Sequence, residues 1–305
     1  MEIKKAKTGA YYEGLLLITT LAWSVSFIWT KLVMNTGMSS EMYLFLRYTL
    51  AALVLLPFSL KQLKIISKKE LKTGFIMGCI FFGGMMLQTA GICRTTPSNS
   101  SFITTAYVVF APFTTWFLMK QKPKKNIYAA VGLCLVGIYI LNMRPGEILN
   151  LNLGNALTLL SAVGWAFQLT YTSIAGEYMD PVLLSFMSFG FTGLGALSAS
   201  LMTGSFFTTT MPQFKVSLWP IVFTALISTI LANLLQVYAQ HNVDANKAAV
   251  IYTMEALFAT VISILIGLEN WNFSIIAGGG LIMAAVMLAQ FGGGRTADKG
   301  EKENV

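Results

Sequence analysis

Residues Leu87–Tyr107 read LQTAGICRTTPSNSSFITTAY, and residues Leu235–Glu255 read LQVYAQHNVDANKAAVIYTME. Laid over one another without a gap, at an offset of 148, they pair Leu87-Gln88 with Leu235-Gln236, Ile103 with Ile251 and Thr105 with Thr253. Trp23, in TLAWSVSF, falls over Trp165, in AVGWAFQL, and the chain reads as two halves dividing near residues 144–152. The second segment runs on as AAVIYTMEALFATVISILIGL (Ala248–Leu268), apolar but for one carboxylate, Glu255. What surrounds that acid depends on what kind of protein the rest of the chain builds.

Of 305 residues, 55% are hydrophobic and only 11% charged, against about 25% charged in a soluble domain. Apolar runs recur from Leu15 to Leu288, each near the ~20 residues that cross the hydrocarbon of a bilayer as a helix. Polar, Pro and Gly interruptions mark ten of them, at approximately 14–33, 42–60, 73–92, 99–119, 126–143, 153–174, 181–202, 218–239, 248–268 and 273–291. Five crossings per half is an odd number, so the second half runs through the membrane in the opposite sense. The expected fold is an all-α membrane protein of ten transmembrane helices in two inverted five-helix repeats, residues 1–147 and 148–292, followed by a polar tail at 293–305. That construction suits alternating access to one site near the midplane.

The net charge of +8 does not indicate nucleic acid, because it is sorted by side. With the N-terminus in the cytoplasm, sixteen Lys and Arg fall inside, nine of them in residues 61–72 and 120–125, and four fall outside: Lys31, Arg94, Arg144 and Lys215. This positive-inside pattern places both termini in the cytoplasm of a multi-pass inner-membrane protein. The longest connection, TGSFFTTTMPQFKVS, leaves no room for a soluble catalytic or nucleotide-binding domain, and no phosphate loop ending in Lys-Ser/Thr is present. Cys79, Cys93 and Cys134 read as small packing residues, and the basic start followed by a long apolar run reads as a retained first helix.

The two aligned segments, extended to LQTAGICRTTPSNSSFITTAYVVFAPF and LQVYAQHNVDANKAAVIYTMEALFATVISILIG, together with an early LAW and with LFLRYTLAALVLLP in the second helix, resemble the ten-helix EamA-like permeases of the drug/metabolite transporter superfamily. The likeness covers about residues 14–290. It implies a bacterial inner-membrane exporter or importer of amino acids or related small metabolites, with a central cavity lined by helices 1, 3, 4, 6, 8 and 9. The family pattern in the ninth helix is Glu-Pro, whereas Ala256 follows Glu255 here. A kink expected from Pro therefore loses its cause.

Polar side chains on a membrane helix face a partner helix or a water-filled cavity. Helix four carries Ser100, Thr104, Tyr107, Ala111 and Thr114 on one face, and helix nine carries Ala248, Tyr252, Glu255 and Ala259. Helix six offers Ser161, Trp165, Gln168 and Thr172, and helix one offers Thr20, Trp23, Phe27 and Thr30. The expected substrate-binding residues are Trp23, Gln88, Thr104, Tyr107, Trp165, Gln168, Gln236, Tyr252 and Glu255. The competing reading of the hydroxyls and amides is hydrogen bonding between helices. For Glu255 the readings are proton uptake, contact with a cationic substrate group, or an acid that only fixes its helix.

Arg47 is expected to snorkel outward from a structural position. Lys31 and His241 are expected at the interface, and Gly132, Gly137 and AGGGLIMAA on close-packing surfaces. The expected function is secondary transport of a small amphipathic metabolite, with no cofactor, no nucleic acid, and protons an open question. The rivals are a membrane sensor or scaffold, and an intramembrane enzyme. A single His, no clustered metal ligands and no paired intramembrane acids stand against the enzyme.

Overall fold

The structure, a computed structural model, describes residues 2–120, 122–141, 152–240, 243 and 245–291, with side chains within 10–120, 122–141, 152–239, 243 and 251–289. Arg144, His241, the side chains of Lys4, Lys5, Lys7, Lys247 and Ala248, and the tail from 292 lie outside the described residues. The described chain is helical: α1 (Glu2–Asn35), α2 (Ser40–Leu63), α3 (Lys68–Arg94), α4 (Pro97–Thr105), α5 (Tyr107–Met119), α6 (Lys125–Leu141), α7 (Leu153–Gly176), α8 (Pro181–Met202), α9 (Ser205–Thr208), α10 (Met211–Phe223), a π-helical segment (Thr224–Leu231), α11 (Ala232–Gln240), α12 (Ala245–Leu265) and α13 (Phe273–Phe291).

Six stretches are long and apolar enough to cross a bilayer: Ala10–Asn35, Ser40–Leu63, Lys68–Arg94, Pro97–Met119, Pro181–Met202 and Met211–Ala239. Lys125–Leu141, Ile251–Leu265 and Phe273–Ala289 are shorter apolar helices. With 24 residues α7 is long enough, but Asn155, Thr158, Ser161, Gln168 and Thr170 on its buried side make it less apolar. These ten stretches fall where the hydropathy pattern puts ten crossings.

Local chemistry sets the helix starts. Ser39 caps α2, Ser67 and Glu70 form a capping box on α3, Asn152 caps α7, and Asp180 followed by Pro181 opens α8. The expected long connection at 203–217 is correspondingly shorter. Thr210 and Gln213 form a capping box, with Pro212 in the first turn, and α10 starts at Met211.

Two crossings are irregular where the sequence pattern predicts regular helix. The fourth is divided at Ala106, whose N–H turns back to the Ile103 and Thr104 carbonyls, and Pro112 removes a further N–H one turn on. The eighth widens into the π-helical segment just after Pro220. The ninth behaves as its sequence requires: α12 runs unbroken through Ala256.

Packing joins the halves. The helix pairs in widest contact are α2 with α8, α3 with α7, α6 with α13, α3 with α8 and α1 with α12, each uniting a helix before residue 147 with one after it. The pattern is two-fold, since the contact of α3 with α7 is answered by α1 against the α10–π–α11 crossing, and that of α1 with α12 by α7 against α4 and α5. Glycine permits the closest approaches. A Cβ on Gly137 would lie 2.9 Å from the Gly278 carbonyl oxygen, and one on Gly278 2.7 Å from that of Gly137. Gly132 is a correction: a Cβ there meets nothing within 4 Å, so it belongs to no close-packing surface.

Candidate functional site

Two buried apolar clusters, one around Tyr43, Tyr48, Met77 and Phe189 and the other around Ile103, Tyr107, Tyr252 and Ile282, both reach Trp165. A cavity lies alongside it. Its volume is about 90 Å³, room for several waters and so for a small solute. Its wall comes from α1, α2, α3, α4, α5, α7, α8, the π-helical segment, α11 and α12. Helices two and seven thus contribute, through Arg47, Tyr48 and Phe189, beyond the six crossings the family likeness implies.

Of the residues expected at the site, Trp23, Gln88, Thr104, Tyr107, Trp165, Gln168, Gln236 and Glu255 all line this cavity. The repeat-related pairs Gln88 and Gln236, Tyr107 and Glu255, and Trp23 and Trp165 thus meet on one wall system. Tyr252 stands behind the wall. It is 2% exposed, its ring centre is 5.8 Å from that of Trp23, and its hydroxyl is hydrogen-bonded to the Gln236 side chain. Phe27 and Thr30 line the cavity, whereas Thr20, Ser100, Thr114 and Ser161 make hydrogen bonds to other backbone or hydroxyl groups away from it.

One side of the cavity is aromatic. Trp165 meets Phe81 edge-on at 5.5 Å, Phe81 meets Phe189 at 5.9 Å, and Phe189 meets Tyr48 at 5.6 Å. Such tilted and T-shaped contacts are the favoured ring geometry and hold the wall rigid. The polar groups around it are partly satisfied. Gln88 Nε2 donates to Thr104 Oγ1 at 3.1 Å, and Gln168 Nε2 to Thr172 Oγ1 at 2.9 Å. The indole Nε1 of Trp165 is buried and has no acceptor among the described residues. A buried donor left without an acceptor costs about 1–3 kcal/mol.

Arg47 is a correction. Its side chain stays buried among the helices, at 3% exposure. Nε donates to Thr229 Oγ1 at 2.8 Å and Nη1 to the Tyr43 hydroxyl at 3.4 Å, while the guanidinium carbon sits 5.4 Å from the Tyr48 ring centre. Tyr43 in turn donates to Thr224 Oγ1 at 3.2 Å, tying Arg47 to the π-helical segment twice. Ser228, in the same segment, donates to the Ala22 carbonyl at 2.7 Å. Lys31 stays at a helix end, where Nζ donates to the carbonyls of Ile92, Cys93 and Thr95 at 2.8–3.1 Å and complements the C-terminus of α3.

Glu255 is 6% exposed and ten residues from either end of α12, about 15 Å along its axis at 1.5 Å per residue. Ser24 Oγ donates to its main-chain carbonyl at 2.9 Å, which fixes the helix and not the acid. The carboxylate has no hydrogen-bond or ion-pair partner among the described residues. A structural acid would be held by donors; this one lines the cavity without them.

The comparisons with known proteins agree with this architecture. A transporter named only "Uncharacterized transporter" in Archaeoglobus fulgidus is 30% identical over 276 residues, covering 90% of this chain and 83% of the relative. The "Uncharacterized transporter YoaV" of Bacillus subtilis is 23% identical over 287 residues, covering 88% and 94%. A crystal structure shares the fold at a TM-score of 0.62 and 13% identity, over 92% of this chain and 96% of that one. The model of the EamA-like transporter family matches twice, at residues 11–143 and 152–291. This multi-pass membrane protein, built from two such repeats, belongs to the EamA-like transporter family of the drug/metabolite transporter superfamily.

Proposed function

We propose that the protein is a secondary transporter that carries a small amphipathic metabolite, an amino acid or a related compound, across the bacterial inner membrane by alternating access, and that it is not an enzyme. The observation that carries the reading is the cavity with aromatic and amide groups from both halves on its wall. The repeats, divided at 147/148 and inverted, exchange inward-open and outward-open states around it, with both termini in the cytoplasm. The aromatic side takes the apolar part of the solute. Gln88, Thr104, Gln168 and Gln236 orient its polar part, Trp23, Tyr107 and Trp165 enclose it, and Tyr252 braces Trp23 and Gln236 from behind.

The irregular crossings support this reading. The break at Ala106 adjoins Tyr107, and the π-helical segment carries Ser228 and Thr229, so the points at which two helices depart from regular hydrogen bonding lie beside the cavity. The test is uptake of radiolabelled amino acids by vesicles reconstituted with the purified protein. Accumulation above protein-free vesicles, saturable and competed by unlabelled solute, is expected. A sensor or scaffold gives binding without uptake, and that outcome overturns the proposal.

A further inference from the structure

A buried guanidinium and a buried carboxyl group line this cavity and do not meet. Arg47 has five N–H donors in a planar fork. Thr229 and Tyr43 accept from two of them, both through neutral hydroxyls, and Tyr48 covers a face of the guanidinium. The other three donors have no acceptor among the described residues, although the side chain is 3% exposed. Glu255, 6% exposed, has no partner for its carboxylate among those residues. A buried guanidinium and a buried carboxyl group are normally held by each other or by dense hydrogen bonding. Here Arg47 is fixed on α2 by the π-helical segment, and Glu255 projects from α12, on a different wall.

We infer that Arg47 is the residue that recognises the anionic group of the substrate: its free N–H edge takes the carboxylate of a small zwitterion whose ammonium group faces Glu255. The inference rests on the transport reading above and adds to it the charge of the solute and the groups that read each end. A guanidinium presents paired donors that match the two oxygens of a carboxylate, and its partners at Thr229, Tyr43 and Tyr48 already hold its plane. A zwitterion adds no net charge to the cavity and leaves neither residue unmatched. An amine lacking the carboxylate leaves Arg47 unpaired, and an acid lacking the amine leaves Glu255 unpaired, so the site discriminates against both.

The test is ligand-induced thermal stabilisation of the detergent-purified full-length protein. The probes are the twenty common amino acids, their α-amides, which cap the carboxylate, and their N-acetyl derivatives, which cap the amine. At least one free amino acid is expected to raise the melting temperature, because a ligand of the folded state stabilises it by mass action. Its amide and its N-acetyl form are expected to bind at least about tenfold more weakly, the effect of one unmatched buried polar partner. This arm uses the unaltered protein and is independent of how variants fold. In Arg47→Lys, which keeps the charge and loses the fork, the free amino acid is expected to lose affinity while its amide does not.

Equal binding of acid and amide by the unaltered protein overturns the inference. So does a Lys variant that still separates them as the parent does, or a panel in which no free amino acid binds. Vesicle uptake of a plain amine or a plain carboxylic acid removes this inference and leaves the transport reading standing. Absence of uptake for every solute removes the transport reading itself.

Discussion

Gly132 and Gly137 lie five residues apart on α6, and the same Gly→Ala change is expected to act oppositely at them. At Gly137 the new methyl carbon would stand 2.9 Å from the Gly278 carbonyl oxygen, 2.9 Å from Ile282 Cγ1 and 3.0 Å from the Ile282 nitrogen. Two of those atoms are backbone, so no side-chain rotation relieves the contact, and α6 and α13 have to part by several tenths of an ångström. Overpacking of that kind costs about 1–3 kcal/mol. A kilocalorie moves the melting point of a domain of 150–250 residues by about 2–4 °C. Gly137→Ala is thus expected to melt about 2–12 °C below the parent. At Gly132 the methyl meets nothing within 4 Å, so only the helix preference of Ala acts, at up to about 1 kcal/mol in favour. Melting followed by size-exclusion chromatography of the detergent-purified proteins measures both. A Gly137→Ala protein as stable as the parent, or a Gly132→Ala protein that falls as far, refutes the reading of α6 and α13 as a glycine-mediated contact.

The distribution of lysines predicts the orientation of the chain. In a background without Cys79, Cys93 and Cys134, single cysteines at Lys64 and Lys122 are expected to resist an impermeant thiol reagent on intact cells, and labelling from outside would reverse the topology. Trp23→Ala, Tyr107→Ala and Trp165→Ala each remove a ring from the wall and are expected to weaken solute affinity about tenfold or more while the protein still purifies. Unchanged affinity in all three would separate the cavity from transport. Tyr252→Phe keeps the ring against Trp23 and loses the bond to Gln236, so it is expected to act more mildly than any of them.

Much of this was legible in the residues because a bilayer imposes length and apolarity on every crossing. The starts were less legible. The apolar run of the second crossing begins at Met42, but the helix begins at Ser40, because Ser39 supplies the cap. In the eighth crossing Met211–Ser217 is polar enough to look like a loop, yet the Thr210–Gln213 capping box makes it helix. The site was legible through its period: Thr104 with Tyr107, and Trp165 with Gln168, share a helical face and reach the same cavity. Arg47 was not, because an arginine near a helix end looks free to snorkel. What holds it is Thr229, 182 positions further along the chain, and only the packing of α2 against the π-helical segment brings the two together. Tyr252 had the right face but the wrong depth, since Trp23 fills the space in front of it. The π-helical segment opens just after Pro220 and is tied to α1 through Ser228, features that a hydropathy pattern does not contain.

The central claim is that the cavity is where transport happens, and Glu255 tests it most directly because the carboxylate lines that cavity without a partner among the described residues. Glu255→Gln keeps the size of the side chain and most of its hydrogen-bonding capacity but cannot ionise. Initial uptake rates are measured in reconstituted vesicles for the parent and the variant, at matched protein content and across a series of external pH values. The account predicts a variant that folds and inserts but has lost uptake, or has lost the dependence of uptake on pH that the parent displays. Parent-like rates with an unchanged pH profile would contradict it.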